Sequence, residues 1–236
     1  MKKIEGETVL ESQVYTKGKY AGGLVGTAKV LDGSILIDSC SSSVIITYDR
    51  NSEDDARCGG LVGCMSSNQD VECWDPYDIH GGTVTIRNCY YGGKMEKGQN
   101  AVNFKKQGGL IGYNDECWLE ARIENCYVDA DFDKTSGDDE YDCLIGENLG
   151  KSISTANFFY TKKCGESGYG EVYDPDSMTV SELAWRLNGG SFTGEYTNSR
   201  VWSYKDGSPV FADETIEISA YLLIVSNPSK LANIYE

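Results

Sequence analysis

Short runs in this chain alternate apolar and polar residues, and glycine punctuates them. In residues 83–88, Val84, Ile86 and Asn88 share one parity, and Thr83, Thr85 and Arg87 the other. In residues 128–133, Val128, Ala130 and Phe132 face one way and Asp129, Asp131 and Asp133 the other. A period of two over short runs bounded by glycine predicts half-buried β-strands. The period changes after Tyr160. In DPDSMTVSELAWRLNGG, Val180, Leu183, Ala184 and Leu187 form a stripe at helical spacing. Asp176, Ser177 and Thr179 are candidate caps, Thr179 and Glu182 have the spacing of a capping box, and Gly189 suits the stop. This predicts one helix over about 179–188. RVWSYKDGSPVFA then predicts a strand, an Asp-Gly turn and a return strand over about 200–211. Residues 213–236 read as a tail or linker strand.

One phrase organises the strands. GGLVG stands at 22–26 and again at 59–63, and GGLIG at 108–112. The glycines involved are Gly22, Gly23 and Gly26; Gly59, Gly60 and Gly63; and Gly108, Gly109 and Gly112. Cys40 lies 18 residues after Gly22, and Cys126 lies 18 after Gly108. Cys89 lies 30 after Gly59, so that copy carries 12 inserted residues. Each return, from Cys40 to Gly59 and from Cys89 to Gly108, takes 19 residues. The unit is therefore about 37 residues: glycine phrase, a strand ending in Asn-Cys-Tyr, a second strand, and the phrase again. A degenerate copy follows, with DCLIG at 142–146 and NFFY at 157–160, and a half copy at 8–15 precedes the first phrase. ECW, at 72–74 and 116–118, is a further echo. A unit this short cannot bury its apolar face alone, but stacked copies can. The expectation is an all-β solenoid of about four coils over residues 1–165, with a helix-plus-hairpin cap over 166–212.

The phrases then acquire physical roles. Glycine fits a stacked corner that needs either positive φ or close backbone approach. The Leu-Val or Leu-Ile pair between the glycines is a short buried stretch. Asn-Cys-Tyr breaks parity at Cys, which predicts a bend there. Asn at a stacked corner can hydrogen-bond to the Asn of the next coil, as in amide ladders. Cys40, Cys89 and Cys126 recur in register and are expected inside as small apolar fillers.

The pattern GGLVG…I-x-NCY…GG-L-[VI]-G resembles the GLUG repeat, over residues 8–160. That repeat occurs in large bacterial surface proteins, including stalk regions of immunoglobulin A-cleaving metalloproteases and adhesin-like proteins of gut bacteria. The resemblance implies a right-handed parallel β-solenoid, a cell-surface or secreted location, and no catalytic residue within the repeats. It also implies that the LNGG…W…DGxPVF segment closes the repeat array as a C-terminal cap. Physically, such a cap would cover strand edges at an open end.

The net charge is −16 over 236 residues. That opposes binding to nucleic-acid phosphates and to anionic membranes. No apolar run follows Met1, Lys2 and Lys3, so no secretory signal is read there. The longest apolar run, 221–225, is too short to span a bilayer. The upstream half copy suggests a longer parent chain. There are nine cysteines, His80 is the only histidine, and CxxC does not occur, so a standard Cys/His zinc site is not expected.

Four groups of residues carry candidate chemistry. Asp129, Asp131, Asp133 and Glu140 stand at positions 1, 3, 5 and 12 of an acidic segment, the spacing of a calcium loop. Lys134 replaces the turn glycine, and no helices flank it, so a solvated acidic loop is the other reading. His80, with Asp75 and Asp78 near it, reads as a loop histidine more readily than as a catalytic one. Cys73 and Cys117, both in ECW, would bridge if adjacent coils bring their Cα atoms within about 7 Å. The alternative is free thiols, together with Cys58, Cys64, Cys143 and Cys164. The aromatics Trp74, Tyr77, Tyr113 and Trp118, with Tyr90, Tyr91 and Tyr127, recur near the same corners, where they would either contact a glycan or protein or cover the core. Clustered acids at 53–55, 115–116 and 138–140 are compatible with a carbohydrate-active β-helix. Scattered cations and a negative net charge disfavour an anionic substrate, and solvated surface is the simpler reading.

Overall fold

The computed structural model describes residues 13–16, 19–30, 33–49, 56–66, 82–99, 101, 106–114, 119–134, 140–150, 152–190 and 201–211. Its strands form parallel sheets to which each repeat adds one strand. The first sheet holds Tyr20–Gly22, Arg57–Gly59, Lys106–Gly108 and Glu140–Asp142, the strands that run into the glycine phrase. The second holds Val25–Lys29, Val62–Ser66, Ile111–Asn114 and Ile145–Asn148, the strands that leave it. A larger third sheet collects Ser34–Asp38, Thr83–Arg87, Glu120–Val128 and Ser152–Thr161, with Ser41–Ser42 and Tyr90–Tyr91 beyond the corner. A fourth holds Gln13–Thr16, Ile45–Tyr48, Lys94–Lys97 and Asp131–Phe132. The pairing is parallel and in register, so Gly22, Gly59 and Gly108 form one column and Val25, Val62, Ile111 and Ile145 another. Among the described residues no helix is long and apolar enough to cross a membrane.

Alternation produces the core. Val84 and Ala121 are stacked inward and fully buried, as are Ile86 and Ile123, while Thr85 and Arg122 point the other way. Ile46, Met95 and Phe132 make a third buried column. Each such side chain contributes about 1.5–3 kcal/mol by leaving water. Neighbouring repeats share one continuous cluster, which explains why a single unit would not hold together.

The glycines serve close approach, not positive φ. None of the nine in the three phrases is among the residues at positive φ. A Cβ on Gly59 would overlap the Val62 carbonyl and the amide of Gly112 in the next repeat. One on Gly63 would press on Ala21 and on the Gly26 carbonyl in the repeat before, both 2.6 Å away. Gly60 leaves room for the Tyr91 ring. Gly26, in the first phrase, would meet nothing within 4 Å. The Leu-Val pair follows the same gradient: Leu61, Leu110 and Leu144 are fully buried, whereas Leu24 is 43% exposed.

Positive φ belongs to the other corner. It falls on Asn88 (52°), Asn125 (54°) and Asn157 (51°), and on Ser39 (54°) in the first repeat. Asparagine tolerates this region better than other side chains. The bend expected at Cys therefore sits one residue earlier, and Cys is the first inward residue after it. The corner amides form the expected ladder. Asn157 Nδ2 donates to Asn125 Oδ1 at 2.9 Å, Asn125 Nδ2 to Asn88 Oδ1 at 3.2 Å, and Asn88 Nδ2 to Asp38 Oδ1 at 2.9 Å. The cysteines do more than fill space. Each thiol donates back across the bend to the carbonyl two residues earlier: Cys40 to Asp38 at 3.2 Å, Cys89 to Arg87 at 3.0 Å and Cys126 to Glu124 at 3.2 Å.

After the fourth repeat a 3-10 turn, Lys162–Cys164, leads into an edge strand, Glu171–Tyr173, on Phe159–Thr161. The helix α1 (Val180–Leu187) follows, with Thr179 Oγ1 accepting from the Glu182 amide at 3.2 Å and Gly189 at φ 76° behind its last turn. Trp202–Lys205 and Ser208–Phe211 pair antiparallel. Their turn, Asp206-Gly207, has positive φ at both residues, as a tight hairpin of this hand requires. Residues 213–236 lie outside the described residues.

Two pairs of substitutions test the corners. Gly63→Ala should cost about 3 kcal/mol or more, because backbone on both sides must move, whereas Gly26→Ala should stay within about 0.5 kcal/mol. Equal effects in urea unfolding would contradict the close-approach account. Asn125→Gly keeps the corner but removes two ladder contacts, a loss of about 1–2 kcal/mol. Asn125→Ala should lose about 1 kcal/mol more through left-handed strain.

Candidate ligand groove

Helix and hairpin do not sit squarely on the end of the stack. They pack against the outer side of the third sheet. In-register pairing there builds an outward column of Ser41, Tyr90, Tyr127 and Phe159. Tyr90 and Tyr127 stack with centroids 5.7 Å apart and rings 9° from parallel, and Tyr173 meets Tyr127 edge-on. Leu183, Ala184, Leu187 and Trp202 bury the upper part of the column. An aromatic stripe of this size facing water would be costly, and the amphipathic helix covers it. The end of the stack is instead closed by the segment after Thr161, where Ser167 Oγ donates to both carboxylate oxygens of Asp142 at 2.9 Å.

Trp202 anchors the arrangement. It is fully buried, tilts against Phe211 at 5.1 Å, and donates from Nε1 to the Asn125 carbonyl at 3.1 Å. The corner that carries the ladder thus also holds the hairpin. Asn188, behind α1, clamps the other side. Its Nδ2 donates to the Trp202 carbonyl at 2.8 Å, and its Oδ1 accepts from the Val201 and Trp202 amides at 2.9 Å each.

Where the cover stops, a groove of about 210 Å³ remains, lined by Ser41, Tyr90, Trp202, Pro209, Val210 and Phe211. Its walls are mainly apolar and aromatic, with hydroxyls at Ser41 and Tyr90. Burial, and then the nearby Asp129 carboxylate, push the Tyr90 phenol up to about 12. Tyr90 therefore presents a neutral hydroxyl throughout the physiological range. Flat aromatic faces beside neutral hydroxyls suit a small, uncharged, amphipathic group.

The residues singled out from sequence do not converge on this groove. Tyr113, expected as a ligand contact, is only 4% exposed. It stacks with Tyr20 and lies under the Arg57 guanidinium, 4.0 Å from the ring centroid. Tyr91 is buried inside, with its hydroxyl donating to the Val44 carbonyl at 3.1 Å. Asp129 accepts from Thr161 Oγ1 at 2.8 Å and pairs with Lys163 at 3.0 Å. Asp133 Oδ2 accepts from the Lys97 amide at 3.2 Å, and Asp131 is exposed. The Glu140 side chain lies outside the described residues, and among those described no three metal-ligating side chains gather. Trp74, Tyr77, Trp118, His80, Asp75, Asp78, Cys73 and Cys117 also lie outside them. The described cysteines Cys40, Cys58, Cys64, Cys89, Cys126, Cys143 and Cys164 are free thiols. Sequence reasoning picked out Tyr90 but missed Ser41, Trp202 and Phe211, whose proximity depends on how the hairpin docks. The usable signal was the Trp and Phe flanking the Asp-Gly turn.

No protein-family model, curated protein or solved structure matches the chain.

Asn188→Ala should release the hairpin while leaving the stack folded. Three lost hydrogen bonds predict about 2–3 kcal/mol. The readouts are a red-shifted Trp202 emission and faster amide exchange confined to residues 201–211. Faster exchange spreading through the repeats would show that the cap is integral to the stack.

Proposed function

We propose that the chain is a non-catalytic display module of a bacterial cell-surface or secreted protein, built as a right-handed β-solenoid of about four coils. Two lines support the architecture. Each repeat adds one strand to each parallel sheet in register, and parallel crossovers are overwhelmingly right-handed. The observation that carries the function is the reuse of the same corner devices from repeat to repeat, with local substitutions in the first and last. The glycine contacts, the asparagine ladder and the thiol-to-carbonyl bonds hold the backbone and leave the outward positions free to vary. The likeness to GLUG repeats supports the surface setting. Coils stacked in this way serve equally as a segment of a stalk or as a display scaffold.

The groove favours a second, compatible reading, a carbohydrate-binding module. A sugar ring could lie on Tyr90 or Phe211, with hydroxyls from Ser41 and Tyr90 in reach. Both readings are tested by offering the full chain a panel of surface glycans and proteins. Retention with no sugar released supports a display module, while turnover of any polysaccharide would overturn it. If a glycan is retained through the groove, Tyr90→Ala should weaken binding about tenfold, the equivalent of about 1.4 kcal/mol. Binding should also be flat from about pH 6 to 9, since Tyr90 titrates near 12. A glycan retained equally by Tyr90→Ala would sink the carbohydrate reading of the groove.

A further inference from the structure

Four of the described thiols, Cys58, Cys64, Cys143 and Cys164, stand outside the repeated cysteine column, and the last two lie at the end of the stack. Cys143 replaces the second glycine in the last phrase, and Cys164 ends the 3-10 turn that closes the fourth repeat. Both are fully buried. Cys143 Sγ donates to the carbonyl of Gly165, the next residue after Cys164, at 3.8 Å, and the two thiols are close enough to shift each other's pKa, Cys143 upward and Cys164 downward. Cys40, Cys89 and Cys126 each serve a corner carbonyl; this pair serves none of those corners. It sits where the last repeat meets its own end, beside the Ser167–Asp142 contact. The glycine column explains why a cysteine fits there: Gly60 and Gly109 are each pressed by the carbonyl of the next repeat, whereas Cys143 carries the last copy of the phrase.

We propose that Cys143 and Cys164 form a disulfide that closes the last repeat on itself. The oxidant is a small-molecule disulfide of the glutathione class. Cys164 is the better nucleophile, because the nearby Cys143 thiol lowers its pKa below the ordinary thiol value and the Ala130 amide donates to its sulfur at 3.3 Å. Its thiolate attacks one sulfur of the oxidant, forming a mixed disulfide and expelling one thiolate. Cys143 then gives up its proton and attacks Cys164 Sγ, expelling the second. Two protein thiols lose two electrons in total, and one small disulfide becomes two thiols. Burial requires that the terminal repeat open for the reaction. A terminal repeat, stacked on one side only, is the one most ready to do so. The cross-link then restrains the unfolded chain over the 21 positions from Cys143 to Cys164.

The full-length chain is equilibrated in oxidised and reduced glutathione, trapped with an alkylating reagent, digested and mapped by mass spectrometry. Lys151, Lys162 and Lys163 lie between the two cysteines, so trypsin places them in separate peptides. The expected product is one linked pair joining Cys143 to Cys164, with a melting temperature several degrees above that of the reduced chain. Cys143→Ala should abolish both the link and the shift between the two buffers. Full alkylation of both cysteines after oxidation would overturn the proposal. So would a link confined to other cysteines, or a linked chain that melts no higher. The map is read on the unsubstituted chain, so it holds even if the alanine variant folds poorly. It also stands apart from the display reading, because neither glycan binding nor location enters it.

Discussion

The constraint on which everything else depends is the contact of one repeat's backbone with the next at two corners. At the glycine corner the chains approach so closely that no Cβ fits between them. At the asparagine corner the chain turns through positive φ, and the side-chain amide reaches its counterpart one level away. Together these corners fix register, and a one-residue slip would send each inward residue outward. Every outward side chain then stacks on its equivalents, whatever they are.

That stacking is demanding for a chain of net charge −16, because identical repeats would place acid over acid. The columns avoid it by alternating sign. Asp38 lies under Arg87, which lies under Glu124, and the Asp38–Arg87 pair is closed by a hydrogen-bonded ion pair. Lys94 faces Asp131. Among the described residues one like-charged step remains, Arg57 against Lys106. Glu147 bridges it from the second sheet, 2.9 Å from Arg57 and 3.6 Å from Lys106. Both cations are mostly buried there, so the bridge is worth more than an exposed pair would be.

Much of this architecture could be read from the sequence, because a repeat reports its own spacing. The glycine and Asn-Cys-Tyr phrases placed the strands, the inward cysteines and the amide ladder, and the Thr179 cap, Gly189 stop and Asp-Gly turn bounded the C-terminal elements. Local chemistry was harder to assign. Whether a glycine is there for its φ or for its lack of a Cβ depends on the neighbouring repeat, so the bend was placed on Cys when it belongs to Asn. The direction in which an aromatic points is equally non-local. Tyr113 and Tyr90 both belong to corner phrases, yet one is covered by Arg57 and the other lines a groove. The groove itself joins Ser41 and Tyr90, neighbours in one column, to Phe211, which only the docked hairpin brings there.

The position of that hairpin bears on function more than any single motif. A cap whose purpose was only to close the stack would belong over the last repeat, where the segment after Thr161 already lies. Instead, α1 and the hairpin cover the side, over the column formed by Tyr90, Tyr127 and Phe159. The same column ends at Ser41, so its aromatic surface is covered at one end and open at the other. The indole of Trp202 ties this cover to the Asn125 corner, which sets the groove wall relative to the amide ladder. On the proposed display reading, a groove wall held in this way loses little entropy on binding, because it is already ordered.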